Sequence, residues 1–479
     1  MSPTLTRAPL GAATSSDQRA TTDHLLLNFT DLGEFGDRPV PMMVRGEGCE
    51  VIDSSGRRFI DGLSGLFCSN LGHGYGAEIG AAIQSQLSEL VFTPTWYLSH
   101  PSAARLAQRL AEVAEPLGLN RVYLTLGGGE SVEAAWKLAR QWHTANGQPQ
   151  RTKAIARNLA YHGTSMGALS FTGLDDCREP FMPMAVPTSF VSHTNAFRHP
   201  LGHDEVAFTA ALLAEVEATI LEAGSTEVAM FIAEPVQNSG GSFVPPAGYW
   251  QGLRALCDKY GILLVADETI TAFGRLGEWF ASIRLGARPD MITFAKGATA
   301  GHAPLGGVLM GDRVAEPFVS GTTTFMHGLT FSGHPATTAA ALAAFDIYER
   351  EGVFENVREL EPRFRAGLEE LRRIPMVGDV RGAGFFWALE MVKDRTTNEP
   401  FDEREAHWLL RTELSGHMDR LGLLCRLDDR GEPVIQLSPP LVADAALIDR
   451  LVNIVGEAAE RAWASWNGGA AAPRQAGAA

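Results

Sequence analysis

The sequence contains few cysteines, and none of them belongs to a C-x-x-C pair. They are odd in number and scattered along 479 residues, at Cys49, Cys68, Cys177, Cys257 and Cys425. Neither a disulfide framework nor a cysteine zinc site is expected, and a reducing cytoplasm suits this composition. The longest apolar runs, such as 261–266, fall far short of the ~18 residues of a membrane span. Because residues 1–20 also lack an apolar signal core, the sequence predicts a cytoplasmic protein without membrane attachment.

Positive charge is in deficit along the chain. There are 40 Lys and Arg residues against 56 Asp and Glu residues, which gives a formal net charge of −16. Such a surface repels polyanions, so nucleic acid is not an expected partner. Hydrophobic residues make up 45% and charged residues 20% of the sequence. This balance is typical of a folded globular chain and excludes extensive disorder.

The pattern of short apolar runs predicts an α/β fold. Four solitary runs, 122–126, 228–233, 262–266 and 291–295, alternate with helical patterns. Strands buried on both faces in this way are typical of a mainly parallel sheet with helices on either side. From about residue 337 the sequence instead shows long amphipathic helical patterns that flank a few strand-like runs, which indicates an α+β domain. These helical patterns span 339–351, 357–372, 406–420 and 443–463.

We predict five segments along the chain. A flexible tail at 1–22 precedes residues 23–75, which join the smaller domain. The large α/β domain spans 76–336, and the smaller α+β domain spans 337–466. A low-complexity, flexible tail occupies 467–479.

Polar or glycine residues follow each of the four apolar runs. The loop Gly127–Glu130 follows the first run, Glu234 and Gln237 follow the second, Asp267 follows the third and Lys296 follows the fourth. In an open parallel sheet, ligands bind beyond the carboxyl ends of the strands. We therefore expect these groups to converge at one edge of the sheet.

Each group also has an ordinary structural explanation when taken alone. The glycines could form only a tight turn, Asp267 could cap a helix, and Lys296 could be a surface lysine. The loop is neither G-x-G-x-x-G nor a Walker P-loop, so a dinucleotide or nucleoside triphosphate is not indicated. Taken together, a phosphate-binding loop, a carboxylate and a desolvated lysine meet the requirements of pyridoxal 5'-phosphate (PLP).

Several motifs occur in one order between Asp61–Gly65 and Ser438–Leu441. The most telling are the segments DETITAFGR at Asp267–Arg275 and FAKG at Phe294–Gly297. This ordered set resembles the class III PLP-dependent aminotransferases of fold type I, over nearly the whole chain. The supporting motifs are Tyr161–Gly163, Glu234–Gln237 and Thr330–Pro335.

The resemblance implies PLP as the cofactor and assigns roles to its nearest residues. Lys296 forms a Schiff base with PLP and moves a proton between substrate and cofactor. Asp267 pairs with the pyridine nitrogen and keeps the ring cationic. Gly128 and Gly129 donate backbone amides to the phosphate. The family usually has Ser-Gly-Ser-Glu at 127–130, so this chain loses hydroxyls there and keeps the backbone donors.

Further cofactor contacts are implied for five residues. Tyr161 stacks on one face of the PLP ring, His162 supports the loop, and Gln237 lies near the phenolic oxygen. Glu234 matches a position that in family members neutralises an arginine when no substrate carboxylate is present. Thr269 stands where a valine commonly packs under the ring, so it adds a polar atom near the cofactor.

The resemblance also bears on subunits and substrates. Thr330 matches a residue that reaches the PLP phosphate of the neighbouring subunit, which implies an isologous homodimer. Arg426 resembles the mobile arginine with which ω-transaminases bind an α-carboxylate, although a surface role is the alternative. Tyr161, Phe67 and Trp96 would form aromatic walls for an apolar amine, but Phe67 and Trp96 could equally belong to the core.

The function implied is that of an ω-transaminase-like enzyme. It would move an amino group from a primary amine or ω-amino acid to a keto acid such as pyruvate by a ping-pong mechanism. Decarboxylases, racemases and aminomutases of the same fold keep this lysine and aspartate, so they remain alternatives. A non-catalytic PLP-binding regulator would lose the lysine or carry a basic extension, and a Rossmann oxidoreductase would need its glycine fingerprint. No metal is expected, since His302, His327 and His334 lack ligand spacing.

Overall fold

The computed structural model describes residues 15–35 and 40–468. Of the predicted N-terminal tail, residues 1–14 lie outside the described residues, while 15–22 belong to a helix. Of the predicted C-terminal tail, residues 469–479 lie outside them, and 467–468 end the last helix. The flexibility of both tails stays a prediction.

The described residues contain fifteen strands and sixteen α-helices. The strands are β1 Met43–Glu47, β2 Glu50–Asp53, β3 Arg58–Asp61, β4 Arg121–Thr125, β5 Lys153–Arg157, β6 Thr188–Val191, β7 Val228–Ala233, β8 Leu263–Asp267, β9 Met291–Phe294, β10 Gly306–Met310, β11 Val377–Ala383, β12 Phe386–Met391, β13 Leu423–Leu424, β14 Arg426–Asp428 and β15 Val434–Leu437. The helices are α1 Ser15–His24, α2 Ser64–Phe67, α3 Gly76–Glu89, α4 Pro101–Val113, α5 Gly128–Ala145, α6 Met166–Leu169, α7 Asp175–Arg178, α8 Glu205–Ala223, α9 Tyr249–Tyr260, α10 Ala281–Leu285, α11 Asp312–Val319, α12 Pro335–Arg350, α13 Val353–Glu370, α14 Glu403–His407, α15 Ser415–Leu421 and α16 Ala445–Gly468. There are also short 3-10 helices at Leu32–Phe35, Glu115–Leu117, Glu179–Phe181, Lys296–Thr299 and Leu371–Arg373, and a π-helix at Trp408–Leu414.

A seven-stranded sheet forms the centre of the fold, in the order β4-β10-β9-β8-β7-β5-β6. Only β10 runs against the other strands of this sheet, between β4 and β9. Along β8, Leu264 and Ala266 belong to one hydrophobic cluster, whereas Leu263 and Val265 belong to another. Successive side chains of a strand point to opposite faces, so apolar layers cover both sides of the sheet. The predicted α/β fold with a mainly parallel sheet is confirmed.

The four predicted apolar runs correspond to β4, β7, β8 and β9 to within one residue at each end. The difference matters at β8, because Asp267 is the last residue of that strand and still shares its buried environment. The strands β5, β6 and β10 complete the sheet and were not identified from the sequence. In β10 the run Gly306-Gly307 dilutes the apolar pattern that marks the other strands.

Two four-stranded sheets lie outside the central one. The first, β11-β12-β15-β14, is antiparallel throughout. The second, β1-β2-β3-β13, brings Leu423 opposite Ile60 in a parallel pair. Residues 43–61 therefore share a sheet with the C-terminal part of the chain. The division of the chain into a large and a smaller domain at the predicted boundaries stays a prediction.

The helices follow the apolar periodicity of the sequence. The buried side chains of α5 include Val132, Ala135 and Ala139, which recur at the spacing of one helical face. The helical pattern predicted at 406–420 corresponds to three consecutive helical segments without a break between them. They are α14, the π-helix Trp408–Leu414 and α15. No helix within 15–35 or 40–468 is both long and apolar enough to cross a membrane.

Substitution of two glycines with left-handed backbone would test how closely the β11–β12 turn packs against the loop after β8. Gly384 has φ 57°, and a Cβ there would lie 2.4 Å from the Arg275 carbonyl oxygen and 2.6 Å from the Leu276 Cα. Gly118 has φ 70° and open space around it. We expect Gly118→Ala to cost only the left-handed strain, about 1–2 kcal/mol. Gly384→Ala should cost about 1–3 kcal/mol more, because backbone atoms cannot rotate away. Thermal unfolding of both variants measures the difference, and equal losses in Tm would contradict the close packing.

Candidate active site

A cavity of about 640 Å³ lies at the carboxyl edge of the central sheet. It is reached by the ends of β4, β7, β8 and β9, as the strand topology requires. Eight of the residues proposed from the sequence line this one cavity: Gly128, Gly129, Tyr161, His162, Glu234, Asp267, Thr269 and Lys296.

Asp267 is a buried carboxylate, 4% exposed, at the end of β8. Its Oδ1 accepts hydrogen bonds from the backbone N and hydroxyl of Thr269, at 3.1 and 2.6 Å, and from the Thr293 hydroxyl at 2.9 Å. Its Oδ2 accepts one from His162 Nδ1 at 2.7 Å. Burial acts to raise the pKa of Asp267, but these donors, His162 above all, outweigh it and hold the pKa below its usual value. The group therefore stays ionised.

Lys296 follows β9 on a strained turn. Its backbone lies in the left-handed region, with φ 43°, a conformation that a residue with a side chain adopts only at a cost. The Tyr348 hydroxyl donates to the Gly297 carbonyl at 2.7 Å, which fixes the turn from α12. Burial lowers the pKa of the Lys296 amine, although Cys68 and Asp267 act in the opposite direction. The amine lies 5.2 Å from the centroid of the Phe67 ring.

The glycine loop brings backbone amides to the cavity. Gly127 is extended, α5 begins at Gly128, and no side chain caps the first turn of this helix. A Cβ on Gly128 would lie 2.8 Å from Thr269 Cγ2, and a Cβ on Gly163 would lie 2.9 Å from the Gly129 Cα. Because no side chain fits there, the loop can approach a ligand closely, and the free amides at a helix N-terminus favour an anion such as a phosphate.

Thr269 uses its two branches differently. Its hydroxyl donates to Asp267, as described above, while its methyl Cγ2 faces the position of Gly128. The Thr269 hydroxyl, which the sequence places near the cofactor, is thus hydrogen-bonded to Asp267. Thr293, which was missed in the sequence, donates to the same carboxylate from the neighbouring strand. Nothing in the apolar pattern of β9 distinguishes this inward hydroxyl.

Glu234 and Gln237 do not both face the cavity. The Glu234 carboxylate lies 3.8 Å from the Arg157 guanidinium. Burial raises the pKa of Glu234, although the charges of His162 and Arg157 act to lower it. The arginine next to Glu234 is therefore Arg157, which was also missed. Gln237 is buried, and its amide nitrogen donates to the Asn158 carbonyl at 2.9 Å, so it does not line the cavity.

Four other predicted residues lie outside the cavity lining of one chain. Phe67 is buried and packs edge-on against Phe386, with ring centroids 5.7 Å apart. Trp96 is 60% exposed, and Thr330 is also exposed. Arg426 Nε lies 3.5 Å from Asp428 Oδ2 on β14. In residues 15–35 and 40–468, no group of three or more His, Cys, Asp or Glu side chains could hold a metal ion.

Comparison with known proteins identifies the family. The model of the family Aminotransferase class-III matches residues 35–459. A probable aminotransferase of Mycobacterium tuberculosis is 44% identical over 435 residues, which cover 91% of this chain and 92% of that protein. Putrescine–pyruvate aminotransferase of Pseudomonas aeruginosa is 36% identical over 447 residues, covering 92% of this chain and 95% of that protein. The chain belongs to the class III aminotransferases.

A solved structure shows the same fold with its cofactor. The PLP-bound amine transaminase of an uncultivated Pseudomonas species has a TM-score of 0.82 and 36% identity, and the match covers 89% of this chain and 95% of that one. The present site fits PLP, because uncapped amides, a buried carboxylate and a buried lysine line one cavity. This protein is therefore a PLP-dependent aminotransferase of fold type I, and transfer of an amino group is its reaction.

The low pKa of Lys296 can be measured directly in protein freed of PLP. We expect Lys296 to react with acetic anhydride at lower pH than an ordinary lysine, since its pKa is lowered from 10.5 by burial. Lys259 is the matched control, because its hydrogen bond to Glu217 raises its pKa above 10.5. Mass spectrometry of both peptides across a pH series gives the two midpoints. A midpoint for Lys296 at or above that of Lys259 would contradict the desolvation of the amine.

Proposed function

We propose that this aminotransferase takes its amino group from a primary amine or an ω-amino acid and delivers it to a keto acid such as pyruvate, by a ping-pong mechanism. The observation that carries the proposal is the meeting of Lys296, Asp267 and the glycine loop on one cavity. The names of two relatives support the substrate classes, since one is a putrescine–pyruvate aminotransferase and another an amine transaminase.

When bound, PLP supplies an aldehyde that takes up the amino group and a ring that withdraws electrons from the substrate carbon. Lys296 would be the residue that carries PLP and moves a proton at its Nζ. Its lowered pKa favours the neutral amine, which is the form that reacts with a carbonyl.

Asp267 would hold a proton on the pyridine nitrogen. Its Oδ1 already accepts three hydrogen bonds, whereas Oδ2 accepts only that of His162. Oδ2 therefore keeps the capacity to accept from a ligand. His162 would orient this carboxylate by donating from Nδ1, and Gly128 and Gly129 would bind the phosphate through their amides.

Substrate recognition would involve Tyr161, which lines the cavity, and Arg426, which lies outside its lining. Arg426 would bind the carboxylate of the keto acid, since a guanidinium matches a carboxylate with two parallel donors. Tyr161 lines the cavity and would contact both the PLP ring and the substrate. Gln237 donates one of its two amide hydrogens to the Asn158 carbonyl, and the second would be the donor for the phenolic oxygen of PLP.

The complete site would require two chains. Thr330 is exposed and lies outside the cavity lining of its own chain, so it is available to the PLP phosphate of a neighbouring subunit. Two groups of exposed apolar side chains would be covered in an isologous dimer. Met326 and Phe331 lie near Thr330 in the sequence, and Trp96, Tyr97 and Leu98 lie at the predicted aromatic wall. All five cysteines are free, which agrees with a cytoplasmic location.

The role of Asp267 is tested by a graded pair of variants. Asp267→Asn removes the charge that would keep the pyridine nitrogen protonated, so the rates of both half-reactions should fall on the order of 10²–10³-fold. Thr293→Val removes one hydrogen bond to the same carboxylate and should cost about tenfold. Stopped-flow absorbance of the cofactor measures both. Borohydride treatment of the wild type should fix PLP to Lys296, and a label on another lysine or a fast Asp267→Asn enzyme would refute these roles.

The dimer is tested at Thr330. Thr330→Ala should weaken PLP binding about tenfold, because one hydrogen bond to a charged phosphate is lost. The mass in light scattering should remain that of a dimer. Thr322→Ala, a change at another exposed threonine nearby, serves as the control. PLP release is followed by absorbance in dilution experiments, and equal affinities in the two variants would argue against the contact.

A further inference from the structure

A buried carboxylate on β14 is shared by two arginines. The side chain of Asp428 is 3% exposed. Arg430 donates to it twice, from Nε to Oδ1 at 2.8 Å and from Nη2 to Oδ2 at 2.9 Å. Arg426 reaches the same carboxylate only from Nε, at 3.5 Å. Two short charge-assisted bonds thus hold Arg430, and one long contact holds Arg426.

The next carboxylate along the chain does not compete for these arginines. Asp429 lies 3.3 Å from Arg411, which belongs to the π-helix. Asp428 is therefore the anion that serves both Arg426 and Arg430. Asp429 and Arg411 also act on the Asp428 carboxylate, but their charges are opposite and offset each other. Arg426 and Arg430 against Asp428 therefore leave one positive charge in excess, which attracts a further anion.

This cluster lies beside the active site. The Arg430 guanidinium is 6.0 Å from the centroid of the Tyr161 ring, and Tyr161 lines the cavity. Burial is the largest influence on the pKa of both Lys296 and Tyr161, and the charge of Arg426 lowers the pKa of each. Arg426 is thus close enough for its charge to act on groups inside the cavity.

We propose that Asp428 is the resting partner of Arg426 and that Arg430 makes this contact reversible. Together, Asp428 and Arg430 would set the balance between substrates that carry a carboxylate and amines that do not. The inference rests on the proposed function, in which Arg426 binds the substrate carboxylate.

The physical reason is the cost of an unpaired buried charge. If Arg426 were the only partner of Asp428, its departure toward a substrate would leave a buried carboxylate without a partner, which is strongly unfavourable. Arg430 removes this penalty, because its two hydrogen bonds remain when Arg426 leaves. When the substrate is an amine without a carboxylate, Arg426 returns to Asp428 and its charge is neutralised there. Asp428 and Arg430 are positioning residues, since they act through Arg426.

The test compares single variants of the holoenzyme that act in opposite directions. Asp428→Asn releases Arg426, so KM for pyruvate should fall and KM for isopropylamine should rise, each about five- to tenfold. Arg430→Gln leaves Asp428 dependent on Arg426, so KM for pyruvate should rise by a similar factor. In both variants kcat should change less than KM. The double variant Asp428→Asn/Arg430→Gln should behave like Asp428→Asn, because the anion that retains Arg426 is gone.

Controls separate this inference from the proposed function. Arg411→Gln removes a nearby cation that pairs with Asp429, and it should leave the ratio of the two KM values close to that of the wild type. Arg430→Lys keeps the charge with fewer hydrogen bonds and should lie between wild type and Arg430→Gln. If Arg426→Gln raises KM for pyruvate while Asp428→Asn and Arg430→Gln shift it in the same direction, only the inference fails. If Arg426→Gln leaves it unchanged, the carboxylate role in the proposed function fails.

Discussion

The burial of an acidic and a basic side chain at the ends of neighbouring strands is the constraint on which the rest of the site depends. Asp267 ends β8 and Lys296 follows β9, and each would cost several kcal/mol to bury without compensation. The compensation is unequal. Asp267 receives four hydrogen bonds and remains an anion, whereas burial pushes the lysine toward its neutral form. The cavity is thus lined by a stable carboxylate, that of Asp267, and a reactive amine, that of Lys296.

Much of this arrangement could be predicted from the sequence, because it follows from local patterns and one topological rule. Apolar runs without alternation mark strands buried on both faces, and parallel strands deliver their ends to the same edge. Gly128, Asp267 and Lys296 could therefore be assigned to one place before any coordinates. The antiparallel β10 was not identified, because its two glycines weaken the apolar signal.

Side-chain direction and long-range pairing could not be predicted in the same way. Gln237 follows the end of β7 by four residues, and its amide donates to the Asn158 carbonyl and does not line the cavity. Thr293 lies within an apolar strand, where nothing in the pattern shows that its hydroxyl meets Asp267. Such contacts arise from packing between segments that are distant in sequence.

The parallel pairing of β3 with β13 has a consequence for biosynthesis. Ile60 and its partner Leu423 are separated by more than 360 residues. At about 5–20 residues per second, translation needs roughly 20–70 seconds to deliver the second strand after the first has left the ribosome. During that time the outer edge of β3 has unmatched amide and carbonyl groups, which invite pairing with other nascent chains. The pairing of β3 with β13 is therefore a late step in the assembly of this sheet, and a chaperone that shields the unpaired edge would raise the yield of active enzyme.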